Sequence, residues 1–356
     1  CSSVSAATPP APVVDMNKPF NYANPVLPRF YDATVLGARN TPPNNLVTDK
    51  GATLGRVLFY DKMLSVDNTI ACADCHQQAK GFTDPKQFSK GVFGQEGSKH
   101  AMRIGNVAFY RGRSMFWDKR SPSLEDQATQ PIKNPLEMGF SESNGGIQAL
   151  IVKMQNSPYY PTLFSQVFGD ARITEPRIQR ALSQFERSMI SAGSRWDQGY
   201  TKTYDPALPD KGLSRPIPTF TAQENAGLKL FMLPRNQGGA GCAGCHQPPT
   251  FALGPQSGSN GLDNGETTLF KSPSLKTITQ GMPMMHDGRF TTFEQVVAHY
   301  NTGVSEGPAL DNRLRDRNGI PQRLNLSNTQ QGSLVAFLKS LQDPLLTTDK
   351  RFSNPF

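Results

Sequence analysis

Apolar side chains recur at helical spacing along most of the chain, whereas the alternation typical of strands is scarce. One stripe combines Ile178, Leu182, Phe185 and Met189, and Thr174 can cap the helix that carries it. This pattern predicts a mainly α fold with little β structure.

Two further helices are marked by capping boxes. Thr221 with Glu224, and Ser327 with Gln330, each precede an apolar run. In such a box the two side chains satisfy backbone N–H groups that the first helical turn leaves free. We therefore expect helices to begin just after Thr221 and Ser327.

Long Gly- and Pro-rich segments, such as 81–99 and 252–274, join the helices. Loops of this length are usually functional or depend on support from outside their own secondary structure, and a large flat cofactor is one such support. A weak internal repeat is also present, because the motif at 72–76 recurs at 242–246. Two tandem modules are the simplest explanation.

Each copy of the repeat is a Cys-x-x-Cys-His motif, formed by Cys72, Cys75 and His76 and by Cys242, Cys245 and His246. This spacing is typical of c-type haem attachment, in which two thiols form thioethers and the histidine ligates the iron. A zinc knuckle or a thioredoxin-like pair is the alternative. Zinc needs four ligands per site, and only three other histidines exist. The sequence therefore predicts two covalently bound haem c groups in an exported protein.

The charge pattern narrows the partners. The net charge is +8, but Lys and Arg are scattered, which argues against nucleic acid and fits steering toward an acidic protein. No apolar run is long enough for a transmembrane helix. The start at Cys1 resembles that of a lipoprotein, although an arbitrary start would look the same. We expect a periplasmic protein whose membrane attachment, if any, is a lipid on Cys1.

The residues around the motifs resemble the bacterial di-haem cytochrome c peroxidase and MauG family. The resemblance runs from about residue 50 to 345 and is carried by five stretches: 116–120 (FWDKR), 123–127 (SLEDQ), 134–138 (NPLEM), 286–297 (HDGRFTTFEQVV) and 334–338 (LVAFL). It implies two cytochrome-c-like helical domains. The expected parts are a tether and extended arm (1–45), an N-terminal peroxide-reactive haem domain (46–172), a C-terminal haem domain (173–345) and a tail (346–356).

The resemblance also implies roles for single residues. Trp117 matches a tryptophan between the haems, where an indole can relay an electron; a core aromatic is the alternative. Gln127 and Glu137 match polar residues on the open face of the first haem, where a carboxylate can move a proton between peroxide oxygens. For Glu137 the alternative is a solvated loop carboxylate. His286 matches a residue near a haem propionate.

Two departures from the peroxidase pattern bear on function. Peroxidase members carry a histidine ligand in a Ser-x-Gly-His segment, and here Val92 takes its place, so the first haem should be open. Peroxidase members ligate the second haem with a methionine fourteen residues after His286, and here that position is Tyr300, the MauG pattern. A phenolate favours higher iron oxidation states, whereas a thioether raises the reduction potential. Met282, Met284, Met285 and His299 are competing ligands.

Together these features imply a MauG-like branch. Hydrogen peroxide would react at the haem on His76, and one equivalent would pass through Trp117 to the haem on His246 and Tyr300, giving a bis-Fe(IV) state. That state would oxidise a tryptophan of a partner protein at long range. The alternatives are a peroxidase fed by a small cytochrome or cupredoxin, and a non-catalytic di-haem electron carrier.

Calcium is a further candidate cofactor. The family has an inter-haem calcium held partly by an asparagine, and His100 stands at that position. Backbone carbonyls of Gly281 and Pro283 would supply two other ligands. The loss of the asparagine weakens this expectation.

Overall fold

The structure, a computed structural model, describes residues 10–111, 114–252, 256–278 and 283–356. Over these residues it is helical, and β pairing is limited to isolated bridges such as Met115 with Ser121 and Met284 with Phe290. The mainly α prediction is confirmed. No helix in the described ranges is long and apolar enough to cross a membrane. The helices are α1 (Ala33–Gly37), α2 (Asp49–Tyr60), α3 (Cys72–Cys75), α4 (Leu124–Lys133), α5 (Gly146–Gln155), α6 (Tyr160–Phe168), α7 (Glu175–Ser188), α8 (Arg195–Thr203), α9 (Ala222–Met232), α10 (Phe293–Ala298), α11 (Asn328–Lys339) and α12 (Pro344–Thr348).

The first hydrophobic core forms where α2 crosses α7. Gly55 lies at the crossing, where a Cβ atom would collide with the Ala181 carbonyl oxygen and lie 2.7 Å from Phe185 Cβ. Leu58 and Phe59 of α2 are buried beside it. Each such side chain contributes about 1.5–3 kcal/mol on burial. The absence of a side chain at Gly55 therefore sets how closely the two helices pack.

The second core repeats this arrangement with α9 and α11. Gly227 lies at their crossing, where a Cβ atom would collide with the Ser333 carbonyl oxygen and lie 2.8 Å from Phe337 Cβ. Leu228 and Phe231 are buried in the same core. In each half, the paired helix presents residues four apart to the glycine. The internal repeat seen in the sequence is thus also a repeat of helix packing.

The division between the cores differs from the expected boundary at 172/173. The stripe from Ile178 to Met189 on α7 packs into the first core, because it faces α2. Leu346 and Phe352 also belong to the first core, so the C-terminal segment returns to the N-terminal half. The second core takes its residues from the segment between Met189 and Leu341, and also from Phe30, Tyr31, Ala108 and Phe109.

The N-terminal arm spans both cores. Met16 and Tyr22 are buried in the first core, whereas Phe30 and Tyr31 are buried in the second. The Tyr22 hydroxyl donates a 2.5 Å hydrogen bond to the carbonyl oxygen of Arg351. The arm therefore joins the two halves rather than hanging free.

The predicted caps are found where the sequence indicated them. Glu224 accepts a 2.8 Å hydrogen bond from the Thr221 backbone, and Gln330 accepts one of 2.9 Å from the Ser327 backbone. Thr174 is the N-cap of α7, but its side chain makes no capping hydrogen bond.

Candidate haem sites

The first Cys-x-x-Cys-His motif forms a single helical turn. The Asp74 carboxylate accepts a 2.7 Å hydrogen bond from the Ala71 backbone, which fixes the start of α3. The backbone N–H of His76 then bonds the carbonyl oxygen of Cys72 at 2.9 Å. His76 Nδ1 lies 3.2 Å from the Phe82 carbonyl oxygen. This contact places the ring proton on Nδ1 and leaves the Nε2 lone pair free for a metal.

The second motif reproduces this geometry. The backbone N–H of His246 bonds the carbonyl oxygen of Cys242 at 2.9 Å, and the Phe251 backbone lies close enough to the ring to act on its pKa. Ser272 Oγ lies 3.3 Å from His246 Nδ1. Burial lowers the pKa of His246 to about 4 and lowers that of His76 as well. Both imidazoles are therefore neutral at pH 7, as a metal ligand must be.

Two phenylalanines play the same part in the two sites. Phe82 and Phe251 are fully buried, and both have positive φ angles, 60° and 52°. A β-bridge closes each loop, between Gln77 and Thr83 and between Gln247 and Ala252. The strained backbone turns each phenylalanine carbonyl back toward its histidine.

The four motif thiols are protonated rather than ionic. Burial raises the pKa of Cys75 to about 11 and that of Cys242 to about 12, and it raises those of Cys72 and Cys245 also. All four are free of disulfide bonds. Zinc binds cysteine as the thiolate, the form that this burial disfavours.

The only group of three metal-ligating side chains found within the described residues lies elsewhere. Asp263, Glu266 and His286 have ligand atoms within 4.8 Å of one another, whereas neither Cys-x-x-Cys-His motif forms such a group. Arg289 binds both Asp263 oxygens, at 2.9 and 2.7 Å. Asp263 is therefore already paired with Arg289. This group contains no cysteine of either motif, so it does not support the zinc alternative for the motifs.

A cavity of about 210 Å³ opens beside the second motif, and Cys242, Cys245 and His246 line it. Arg103 and Lys271 are buried and also line it. Burial lowers the pKa of Arg103 to about 10 and that of Lys271 to about 8.

These two cations provide a test of whether a haem fits the cavity. Among the described ion pairs, neither Arg103 nor Lys271 has a carboxylate within 4.0 Å, and Arg103 Nε has no hydrogen-bond partner there. A buried unpaired charge is costly. A haem has two propionates that would neutralise such cations, so the residues present fit this group.

Tyr300 lies in the wall of the same cavity. Helix α10 continues into a π-helical turn, His299–Gly303, a feature that often marks functional sites. Burial raises the pKa of the Tyr300 phenol, although a hydrogen bond to Asn260 opposes the shift. His299 instead turns its Nε2 to the Asn260 carbonyl oxygen, 3.0 Å away. The structure thus brings Tyr300, and not His299, to the cavity with His246.

The methionine alternatives are only partly removed. Met284 and Met285 also line the cavity. Asn260 Nδ2 lies 3.3 Å from the Met285 sulfur and donates to it. Met282 lies outside the described residues.

Trp117 lies at the second site and is hydrogen-bonded to His100, whose ring contacts a loop of the first site. It lines the second cavity, and its Nε1 donates a 2.7 Å hydrogen bond to the His100 carbonyl oxygen. The His100 ring in turn lies 3.0 Å from Thr83 Oγ1, next to the Phe82 that serves the first site. The ring of His286 lies 6.4 Å from Trp117 and stacks on Phe270 at 3.9 Å.

Val92 and Glu137, the residues expected near the first haem, lie next to each other. Val92 is buried, and its backbone N–H bonds the Glu137 carbonyl oxygen at 2.9 Å. Burial raises the pKa of Glu137, against the opposing effects of Arg120 and of a 2.8 Å hydrogen bond from Asn134. Glu137 is therefore not a freely solvated loop carboxylate. Gln127 is half-buried on α4.

Known proteins resemble this chain in sequence and in structure. Residues 49–205 match the family model described as di-haem cytochrome c peroxidase. The chain is 30% identical over 290 residues to the cytochrome c551 peroxidase of Nitrosomonas europaea, which covers 75% of this chain and 79% of that protein. This chain belongs to the di-haem cytochrome c peroxidase family.

Other similarities extend over most of the chain. The methylamine utilization protein MauG of Methylophilus methylotrophus is 28% identical over 313 residues, 84% of each chain. A crystal structure of a MauG-like protein associated with microbial copper homeostasis has a TM-score of 0.73 and 26% identity, covering 93% of this chain and 99% of that one. As a member of this family, the chain is a peroxide-dependent oxidoreductase with haem c cofactors.

The calcium prediction for this family member gains no support. Both ring nitrogens of His100 have partners, Thr83 at 3.0 Å and the Gln87 carbonyl oxygen at 3.1 Å. Calcium prefers oxygen ligands. Gly281 lies outside the described residues, and Pro283 is buried. The His100 ring therefore links the loop segments that carry Thr83 and Gln87. A role for His100 as a calcium ligand stays a prediction.

Sequence reasoning missed several residues of the peroxidase sites. Phe82 and Phe251 belong to no recognised motif. Each nevertheless follows the histidine of its Cys-x-x-Cys-His motif by five or six residues. Arg103 comes from a loop far from the second motif in sequence, whereas Asn260 and Lys271 share the loop that follows it. Only the fold shows that these side chains face one cavity.

Proposed function

We propose that this chain is a MauG-like di-haem enzyme that uses hydrogen peroxide to oxidise a tryptophan of a partner protein. Tyr300 carries the proposal, because it shares the cavity of His246 and occupies a position where peroxidases have a methionine. A phenolate is a hard anion that stabilises oxidised iron, whereas a thioether stabilises the reduced state. A site with tyrosine is therefore suited to hold oxidising equivalents rather than incoming electrons.

The proposed attachment is covalent at both motifs. Cys72 and Cys75 would hold one haem, and Cys242 and Cys245 the other. When bound, the haems supply the redox-active iron at which peroxide is reduced. The chain contributes neutral imidazoles with Nε2 free, since the Phe82 carbonyl fixes the proton of His76 on Nδ1.

Residues on the first site's other face support a peroxide reaction there. Val92 cannot ligate iron and occupies the place of a blocking histidine. We assign proton transfer between the peroxide oxygens to Glu137, because burial raises its pKa and the proton is held more readily than by an exposed carboxylate. Gln127 would orient the peroxide.

Trp117 would carry the electron between the two sites. Its indole lines one cavity, and its Nε1 hydrogen-bonds the loop that supports the other. Because Trp117 is connected to both sites in this way, we favour electron transfer over simple core packing as its role.

A peroxidase that takes electrons from a small cytochrome is the second candidate. Similarity to the cytochrome c551 peroxidase, at 30% identity, favours it as much as similarity to MauG favours the first. The two differ at the second site: a methionine ligand from Met284 or Met285 would support the peroxidase.

Electron paramagnetic resonance of the ferric holoprotein tests the proposal. One equivalent of peroxide should remove the high-spin and low-spin ferric signals together, without prior reduction. Tyr300→Phe should change the low-spin signal and abolish the concerted loss, whereas the matched control Met285→Leu should retain both. A low-spin signal that changes in Met285→Leu and persists in Tyr300→Phe would establish a thioether ligand and refute the proposal.

We also propose a periplasmic location, because haem is attached to Cys-x-x-Cys-His motifs outside the cytoplasm. Cell fractionation with haem staining should recover the protein in the periplasmic fraction. Recovery of the haem-bearing protein in the cytoplasmic fraction would refute this location. Cys1, the residue expected to carry a lipid, lies outside the described ranges.

A further inference from the structure

A continuous row of oxidisable aromatic side chains runs from the second haem site to the protein surface. Its members are Trp196, Tyr200 and Tyr204, spaced one helical turn apart along α8 and just beyond its end. We propose that these three residues form a one-electron relay between the His246 site and the surface. The relay rests on the peroxide reaction of the proposed function and names the route by which oxidising equivalents leave.

The inner end of the row contacts the haem site through Phe251. The Trp196 and Phe251 rings meet edge to face, with centroids 4.8 Å apart. The Phe251 backbone also lies close enough to the His246 ring to act on its pKa. One residue therefore separates Trp196 from the imidazole that would ligate the iron.

The middle of the row is a stacked pair. Trp196 and Tyr200 lie with centroids 4.8 Å apart and planes 29° apart, an offset stack in close contact. Phe30 of the N-terminal arm covers both rings, at 5.8 and 4.8 Å. Trp196 and Tyr200 are buried, so an oxidised ring here would be shielded from water.

The outer end carries a proton acceptor. Tyr204 lies 5.8 Å from Tyr200 and is half-buried. Its hydroxyl donates a 3.1 Å hydrogen bond to Asp32, whose carboxylate also pairs with Lys211 at 2.6 Å. The Lys211 ammonium lowers the pKa of Asp32, so this carboxylate is ionised and can accept a proton.

The electrons and protons of the relay balance. Peroxide is the two-electron oxidant supplied by the family's activity, and each oxidising equivalent left at the His246 site draws one electron from Trp196. Trp196 regains that electron from Tyr200, which keeps its hydroxyl proton in the hydrogen bond to the Lys211 carbonyl oxygen and regains its own electron from Tyr204. Tyr204 loses its electron and passes its hydroxyl proton to Asp32, which leaves a neutral tyrosyl radical. A one-electron donor at the surface then restores Tyr204, and the proton returns from Asp32.

Nearby charge does not oppose the relay. Lys276 lies 5.0 Å from the Trp196 ring, and a lone cation there would make the ring harder to oxidise. Its ammonium is paired with Asp197 at 2.5 Å, and both groups are buried. The pair carries no net charge, so its field at the indole is small.

Radical trapping in the holoprotein tests the relay. The ferric protein is treated with peroxide in the presence of a nitroso spin trap and without a protein partner, and adducts are located by peptide mass mapping. We expect an adduct on Tyr204. Trp196→Phe should lose this adduct, and so should Tyr200→Phe, because each removes an inner member of the row. Optical spectra record haem content and the haem reaction with peroxide in each variant.

Tyr159→Phe is the matched control, because its hydroxyl also donates to a carboxylate, that of Asp61 at 2.5 Å, in the other core. Its adduct pattern should equal that of the unaltered protein. Adducts that persist on Tyr204 in Trp196→Phe overturn the relay. If Trp196→Phe loses haem, an adduct that persists on Tyr204 in Tyr200→Phe overturns it instead. A haem spectrum that does not change with peroxide overturns the proposed function and the relay together, whereas a responsive haem without an adduct on Tyr204 overturns the relay alone.

Discussion

Gly227→Ala tests whether the helix crossing supports the second haem site. The added methyl group would meet the Ser333 carbonyl oxygen and lie 2.8 Å from Phe337 Cβ. Overpacking costs about 1–3 kcal/mol, and the upper end applies because a backbone atom cannot rotate away. Replacing a helical glycine by alanine returns about 0.5–1 kcal/mol. We therefore expect a net loss of about 2 kcal/mol in the free energy of unfolding.

Gly332→Ala is the matched control on α11. A Cβ atom there would meet only Gln223 Nε2, at 3.5 Å, an ordinary contact. This variant should gain about 0.5–1 kcal/mol.

Thermal unfolding followed by circular dichroism measures both changes. For a folding unit of about 150–250 residues, a change of 1 kcal/mol shifts Tm by about 2–4 °C. The Tm of Gly227→Ala should therefore be about 4–8 °C lower than that of the unaltered protein. Because α9 leads into the Cys242 motif, haem content should fall as well. Equal Tm values for the two variants would refute the packing argument.

Two further predictions concern the first half. Glu125→Gln should destabilise the protein by about 3 kcal/mol at pH 7, because Arg187, 2.5 Å away and buried, loses its partner. Burial raises the pKa of Glu125, but hydrogen bonds from Arg187 lower it overall. The stabilisation is therefore complete above the ordinary glutamate pKa and is lost as pH falls, so urea unfolding should show the two proteins converging in acid; a constant difference would contradict this. Val92→His should convert the high-spin ferric signal into a low-spin one and slow the peroxide reaction; an unchanged optical spectrum would show that position 92 does not face the iron.

The parts of the fold that depend on neighbouring residues could be predicted from the sequence. The capping boxes at Thr221 and Ser327 and the helix through Ile178 are local patterns, and each is present. The core to which that helix belongs could not be predicted, because its apolar stripe suits either partner. The contact with α2 decides it, through the close approach at Gly55.

The site divides in the same way. The Cys-x-x-Cys-His motifs can be recognised from the spacing of their residues. The residues that contact each imidazole cannot be recognised in this way. Phe82 and Phe251 serve through backbone carbonyls, which any residue possesses, and positive φ at phenylalanine runs against its ordinary preference. Side-chain identity gave no signal there, and the geometry came only from how the loop closes.

The two halves of the protein hold their Cys-x-x-Cys-His motifs with the same structural parts. Each has a glycine at its helix crossing, a one-turn motif and a phenylalanine whose backbone lies at the imidazole. In the proposed function these shared parts would present each imidazole to a haem, and the two halves would differ in the other residues near it, Val92 and Glu137 in the first half and Tyr300 in the second. Because these residues and the motifs are separate segments of the chain, substitutions at Val92, Glu137 or Tyr300 should alter reactivity while both haems stay attached.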